Sequence, residues 1–257
     1  MSYRTWLKDV THLNDIAPWE TTLDILHPEE EKMEAVRLQK FWSHLEHYCP
    51  VDEESKKYFC SKLHDSQFLG ISSCKSTVTV SINDISAEVA VYDICKYLLI
   101  ERPHIPIPVD LIFEDTVYFT SLRYDPNFKL IYDNIASLKP CLSQFEMNFL
   151  YDWFFEEGGR IQWVAQVNSG KVGRKLSYPI FILIDCARAK AVDRRLPALK
   201  KLFGPNIVPL WNDYLNHVDF PEPFSDYPVH TGGFIDYFNR RLPIHGLTWN
   251  DLKFQNP

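Results

Sequence analysis

The sequence predicts an α+β fold: a mainly antiparallel β-sheet, a helical N-terminal lobe packed on it, and C-terminal helices with an aromatic-rich coil. Three observations carry this expectation. Two aromatic-rich runs, Glu146 to Glu157 and Arg160 to Val167, flank Gly158-Gly159. Paired glycines supply the positive φ values that a tight hairpin needs. The run Ile180 to Ile184 is continuously apolar and rich in β-branched residues, the mark of a strand buried on both faces. Finally, His27-Pro28-Glu29-Glu30-Glu31 reads as a helix start. Proline suits the first helical position, and carboxylates favour the positive end of the helix dipole.

Taken in order, residues 1–26 predict one short helix near Arg4 to Val10 and a loop packed by Trp6 and Trp19. After Pro28, the residues Met33, Leu38, Phe41, Trp42, Leu45 and Tyr48 recur at helical spacing. Cys49-Pro50 ends that helix, because the residue before proline resists α geometry. A second helix is expected over Asp52 to Lys62, capped by Asp52, with Tyr58-Phe59 inward. At Leu63 the period changes. Leu63 to Ser73 and Thr77 to Ile82 read as the two arms of a hairpin. Asn83-Asp84 is turn-like. Ala87 to Ile100 mixes signals: Val89 and Val91 favour a strand over the helix that Ile94, Tyr97 and Leu98 would suit. Pro103, Pro106 and Pro108 form a stiff connector.

Further strands are expected over 109–113, 116–119 and 128–133, with a loop or short helix from Ile135 to Leu142. Beyond Ala187 the chain predicts a strand exit, then a helix from Leu196 that Gly204-Pro205 ends. Ile207 to His217 predicts another helix, Asp219 to Gly233 an ordered coil pinned by its rings, and Phe234 to Arg241 a last helical turn. The expected organisation is a helical lobe over 1–62, a sheet core over 63–188, and helices and coil over 189–257, closing into one compact unit.

Hydrophobic residues make up 46% and charged residues 24% of the 257, which suits a folded globular chain and excludes wholesale disorder. The residues after Met1 show no apolar h-region, so no signal peptide is expected. The longer apolar runs, such as Val89 to Leu99, are broken by charges and fall short of the roughly 20 apolar residues that a membrane span needs. Six cysteines show no Cys-x-x-Cys spacing, so zinc-ribbon and thioredoxin-type chemistry is not indicated. Reduced thiols in a cytoplasmic protein are the expectation.

The net charge of −7 conceals an asymmetry, because residues 171–201 carry nine basic and only two acidic side chains. An acidic chain repels nucleic acid at long range, which disfavours general nucleic-acid binding. Lys171, Arg174, Lys175, Arg188, Arg194 and Arg195 are instead candidates for docking an acidic protein partner. The plainer reading of the same residues is a solvated face that balances an acidic sheet.

Five short strings carry a family resemblance: Leu63-His64-Asp65-Ser66, Val78 to Ile82, Leu150-Tyr151-Asp152, Gly158-Gly159 and Ile182-Leu183-Ile184-Asp185. Together they resemble an uncharacterised bacterial family in which a helical N-terminal region precedes a Leu/Phe-His-Asp strand and an antiparallel sheet. The resemblance spans residues 30–190, departs at Trp153-Phe154-Phe155, and finds no counterpart beyond. It implies a small cytosolic accessory or immunity-type protein of bacterial conflict systems.

Catalytic constellations are sparse. His64-Asp65 are types that ligate metal in phosphohydrolases, yet neighbours on a strand point to opposite faces, so a structural role at the strand's start is simpler. His44, His47 and Cys49 lie close on the helix predicted after Pro28, without a second ligand cluster. Asp110, Glu114, Asp115 and Asp185 lack the acidic-x-Lys partner of a nuclease strand pair, and Asn168 to Lys175 lacks phosphate-loop spacing. The leading expectation is therefore a non-enzymatic protein-binding module with no cofactor and no metal. The alternative is a metal-dependent hydrolase or nuclease on a phosphate-containing substrate, using His64, Asp65 and Asp185 beside the basic segment. A third is a nucleic-acid accessory factor using residues 171–201. Convergence of His64 and Asp185 on one point would decide for the hydrolase.

Overall fold

A computed structural model describes residues 48–60, 62–101, 105–124, 130–133, 146–170, 177–217 and 233–252. The predicted N-terminal helices before Tyr48, the 135–142 segment and the 219–232 coil lie outside these residues. Nine strands form one antiparallel sheet with several helices, so the α+β class holds. The strands are β1 (Ser66–Cys74), β2 (Thr77–Asn83), β3 (Pro108–Glu114), β4 (Tyr118–Tyr124), β5 (Leu130–Asp133), β6 (Glu146–Glu157), β7 (Arg160–Gly170), β8 (Ser177–Cys186) and β9 (Arg188–Asp193). Their spatial order is β5-β4-β8-β7-β6-β1-β2-β3-β9.

The hairpin expected at the double glycine is the centre of this sheet. β6 and β7 pair from Glu157↔Arg160 to Glu146↔Gly170, with a bulge between Phe149 and Tyr151. Gly158 (φ 62°) and Gly159 (φ 74°) both turn left-handed, as a two-residue hairpin of this kind requires. β8 then pairs along β7, from Gly170↔Ser177 to Ile161↔Cys186. By this register Trp153, Phe155, Val164, Phe181 and Leu183 share one face, and Phe154, Trp163, Ala165, Ile182 and Ile184 share the other. All ten are at most 2% exposed, so these strands are buried on both sides, which is why they read as continuous apolar runs.

On the second face the rings of Trp163 and Phe113 lie 4.6 Å apart, and Phe59 packs on Phe154 at 5.2 Å. Phe113 belongs to β3, which lies beyond β6, β1 and β2 from β7, so the sheet rolls back over its own aromatic face. The indole N–H of Trp163 donates to the buried Asp152 carboxylate at 2.8 Å, which satisfies both groups inside this core.

The chain divides into two compact units. One runs up to Ile82 and continues over Asp110–Val192; the other takes Asn83–Val109 and Asp193–Pro257. Residues 83–109 thus group with the C-terminal helices, and the sheet unit runs on to Val192. The second unit holds α2 (Ile85–Tyr97), α3 (Arg195–Phe203), α4 (Ile207–His217) and α5 (Gly233–Arg241).

Helix α2 corrects the strand expected over Ala87 to Ile100. Asp84 caps it, its carboxylate accepting from the Ser86 N–H at 2.9 Å and from the Ala87 N–H at 3.5 Å. Ala87, Ala90, Val91, Ile94 and Cys95 form its buried stripe, packed with Leu199, Leu202, Phe203, Ile207, Leu210, Trp211 and Phe238. Val89, which suggested a strand, points outward at 45% exposure. The second expected helix is also shorter, because α1 covers only Glu53–Lys56. Asp52 does cap it, and Tyr58 and Phe59 do turn inward. Among the described residues no helix is long and apolar enough to cross a membrane.

Candidate functional site

Four connections of the first unit meet at one corner of the sheet. They are the β1–β2 turn, the β3–β4 corner, the β6–β7 hairpin and the β8–β9 corner. The backbones of all but the β6–β7 hairpin are tied directly. The Thr116 N–H donates to the Ser76 carbonyl at 2.8 Å, the Val117 N–H to the Asp185 carbonyl at 3.3 Å, and the Ala187 N–H to the Glu114 carbonyl at 3.0 Å. Lys75 and Asp115 both adopt a φ of 53°, the left-handed geometry that lets non-glycine residues close tight corners.

Side chains reinforce the frame. Arg160, at the base of the hairpin, donates its Nε–H to the Asp185 carboxylate and a terminal N–H to the Asp115 carbonyl at 2.7 Å. Gln162 donates to Glu157 at 3.1 Å and to Asp185 at 3.4 Å. Glu114 receives Lys190 at 2.5 Å and Arg188 at 3.2 Å, and Arg188 also approaches Asp115 at 3.8 Å. The Lys190 ammonium, with Arg188 adding its charge, holds the Glu114 carboxyl below the usual glutamate range.

On this frame sit two side chains that burial does not account for. Val117 is 76% exposed and Tyr118 46% exposed, beside an Arg188 side chain that is 72% exposed. An aliphatic group, a phenol and a guanidinium thus stand exposed on a pinned backbone. Among the described residues no group of three or more His, Cys, Asp or Glu side chains is placed to hold a metal ion.

The sequence candidates fall in different places. His64 and Asp65 lie before β1, in a turn, so the opposite-face argument does not apply to them. The His64 Nδ1 pairs with the Asp65 carboxylate at 3.0 Å, and its ring packs on Tyr151 at 4.7 Å. Tyr151 is opposite Gln166 and Phe181, whereas Asp185 is opposite Gln162 and Tyr118. Two strand spacings and four residues of rise separate Tyr151 from Asp185 by roughly 16 Å. The structure therefore does not bring His64 and Asp185 together, and Asp185 is occupied by Arg160.

The basic candidates separate likewise. Arg188 belongs to the corner. Arg194 is exposed at the start of α3. Arg195 is buried, donating to Asp84 at 2.5 Å and to Asp193 at 2.8 Å, with its guanidinium 5.9 Å from the Trp211 ring. It is thus held within the second unit, with little surface left for the docking role expected of it. Lys171, Arg174 and Lys175 lie outside the described residues.

Sequence reasoning missed Arg160, Val117 and Tyr118. The double glycine does place Arg160 opposite Glu157, but its bond to Asp185 depends on the β7–β8 register, which no local signal carries. Comparison of the chain with family models, with curated proteins and with solved structures gives no match.

Proposed function

We propose that the chain is a non-enzymatic, cytoplasmic protein-binding module, of the accessory or immunity type that the resemblance implies, and that its partner docks on the corner formed by Val117, Tyr118 and Arg188. The observation that carries this reading is the exposure of Val117 and Tyr118 on a backbone hydrogen-bonded to β8 and to the β1–β2 turn. Tyr and Arg dominate binding hot spots, and a pre-ordered loop loses little entropy when it is covered. The fitting partner presents apolar surface to the two side chains and a carboxylate to Arg188, so an acidic protein is expected. Its carboxylate competes with Glu114 and Asp115 for the guanidinium, which makes the association sensitive to salt and gives charge more weight in on-rate than in affinity.

The test uses the tagged full chain in extract of its own host, with quantitative mass spectrometry of the retained proteins. The wild type is expected to retain one acidic protein in near-equal amount. Both the Val117→Asp/Tyr118→Ala double variant and Arg188→Glu should reduce that retention about tenfold or more. A partner held equally by all three proteins, or none held by the wild type, overturns the reading.

A further inference from the structure

We propose that the exposed stripe of α2 is a homodimer interface, on which a second copy of this chain packs antiparallel about Tyr92. The core takes one side of α2, through Ala87, Ala90, Val91, Ile94 and Cys95. Ile85, Val89, Tyr92 and Lys96 follow one another at intervals of four, three and four residues, so they line the opposite side. The three apolar members are 39%, 45% and 47% exposed, and the Lys96 ammonium lies 5.9 Å from the centre of the Tyr92 ring. Leu99 extends the stripe past the end of the helix, at 93% exposure. Its φ of 55° is left-handed, a geometry that glycine usually supplies. Two backbone bonds fix the bend: the Leu99 N–H donates to the Lys96 carbonyl at 3.3 Å, and the Ile100 N–H to the Cys95 carbonyl at 3.0 Å. Neither the turn nor the core accounts for a leucine there.

The occupant follows from the symmetry of the stripe. Ile85 and Leu99 stand seven residues before and after Tyr92, and Glu88 and Lys96 stand four before and after it. A two-fold axis at Tyr92 that reverses the helix direction therefore sets Ile85 against Leu99 of the second copy and Glu88 against its Lys96, each contact made twice. Tyr92 meets its own counterpart on the axis, with Val89 beside it. Glu88 flanks the stripe one residue before Val89, where its carboxylate accepts from the Asn83 side-chain amide at 2.9 Å. Parallel pairing in register would instead put Lys96 against Lys96 and align the two helix dipoles, and both arrangements repel. Reversal brings an apolar pair, a charge pair and opposed dipoles into agreement at once, which selects a second copy as the occupant. The seam is short, because α2 has 13 residues. The interface therefore falls below the usual size of about 800 Å² per partner, and the dimer is a weak one, with a dissociation constant of roughly 10–100 μM.

Sedimentation velocity of the purified full chain, in reductant and from about 1 to about 500 μM, tests the pairing. The wild type is expected to pass from monomer to dimer across that range. Tyr92→Lys puts two ammonium groups on the axis, and Lys96→Glu faces Glu88 with a like charge; each should weaken the dimer about tenfold or more. Glu88→Lys should do the same. An equimolar mixture of Lys96→Glu with Glu88→Lys should nevertheless associate, because the reversed charge of one copy then meets the reversed charge of the other. Circular dichroism reports whether each variant is folded. Tyr92→Lys and Lys96→Glu, both at exposed positions, decide the proposal even where Glu88→Lys fails to fold. A wild type that stays monomeric at the highest concentration overturns it, including one that retains an unrelated protein through this stripe. A dimer that both Tyr92→Lys and Lys96→Glu leave intact overturns it too, as does a mixture of folded variants that stays monomeric.

Discussion

Glu114 shows how single residues set the corner. Its carboxylate takes Lys190 and Arg188 while its carbonyl takes the Ala187 N–H, so one residue at the end of β3 ties both arms of the β8–β9 bend. Its folded pKa lies below the unfolded value, so the stabilisation is present above the ordinary glutamate range and is lost as pH falls through the lowered value. The corner is therefore complete at neutral pH, and acid releases Arg188 and Lys190. Carbon-detected NMR should find the Glu114 carboxyl titrating below an ordinary glutamate, and Lys190→Ala should return it toward that range. A titration unmoved by Lys190→Ala would show that the ion pair does not set it. None of this was legible in composition, which counted Arg188 and Lys190 as a positive patch. Residues two apart on a strand share a face, so β9 presents both to Glu114 on its neighbour, and that carboxylate offsets part of their charge.

Among the elements, α2 and α3 meet through an ion triad whose Arg195–Asp84 pair is buried and whose Asp193 is partly exposed. Arg195 lies between Asp84, which caps α2, and Asp193, which precedes α3. Replacing one partner of such a buried ion set leaves uncompensated charge and costs about 3–5 kcal/mol. Arg195→Met is expected to lower the unfolding free energy by that margin, read from the fall in denaturant midpoint times the slope, while Arg194→Met, at an exposed position, should stay within about 0.5 kcal/mol of wild type. Equal midpoints for the two variants would remove the triad from any account of stability. What the sequence disclosed at this scale followed from distance along the chain. The β6–β7 hairpin was legible because its signal, Gly158-Gly159, is local. The α2 stripe was also there to be read, at Ala87, Ala90, Val91, Ile94 and Cys95. Valines two apart at 89 and 91, spaced as in a strand although only Val89 faces outward, and a capping Asp84 taken for a turn hid it. The bond from Arg160 to Asp185 was not legible, since it spans two strands whose register is decided by packing.

For the molecule as a whole, the chain passes between its two units three times, after Ile82, after Val109 and after Val192. Local periodicity predicts that helices exist but not which helices share a core, so the expected boundaries followed a change of period after residue 62 and a shift in composition after residue 188. The consequence is testable by truncation. A chain ending at Val192 keeps every pairing among β6, β7 and β8 but strips α2 of its packing partners Leu199, Leu202, Phe203, Ile207, Leu210 and Trp211. Each buried side chain of this size contributes about 1.5–3 kcal/mol, so their joint loss matches or exceeds the roughly 5–15 kcal/mol by which a domain is stable. The shortened protein is expected to expose the apolar stripe of α2, bind a hydrophobic dye and lose amide protection across residues 85–97. A soluble, monomeric 1–192 chain with α2 protected as in the full protein would mean that residues 83–109 draw their stability from the sheet, and the two-unit division would have to be redrawn.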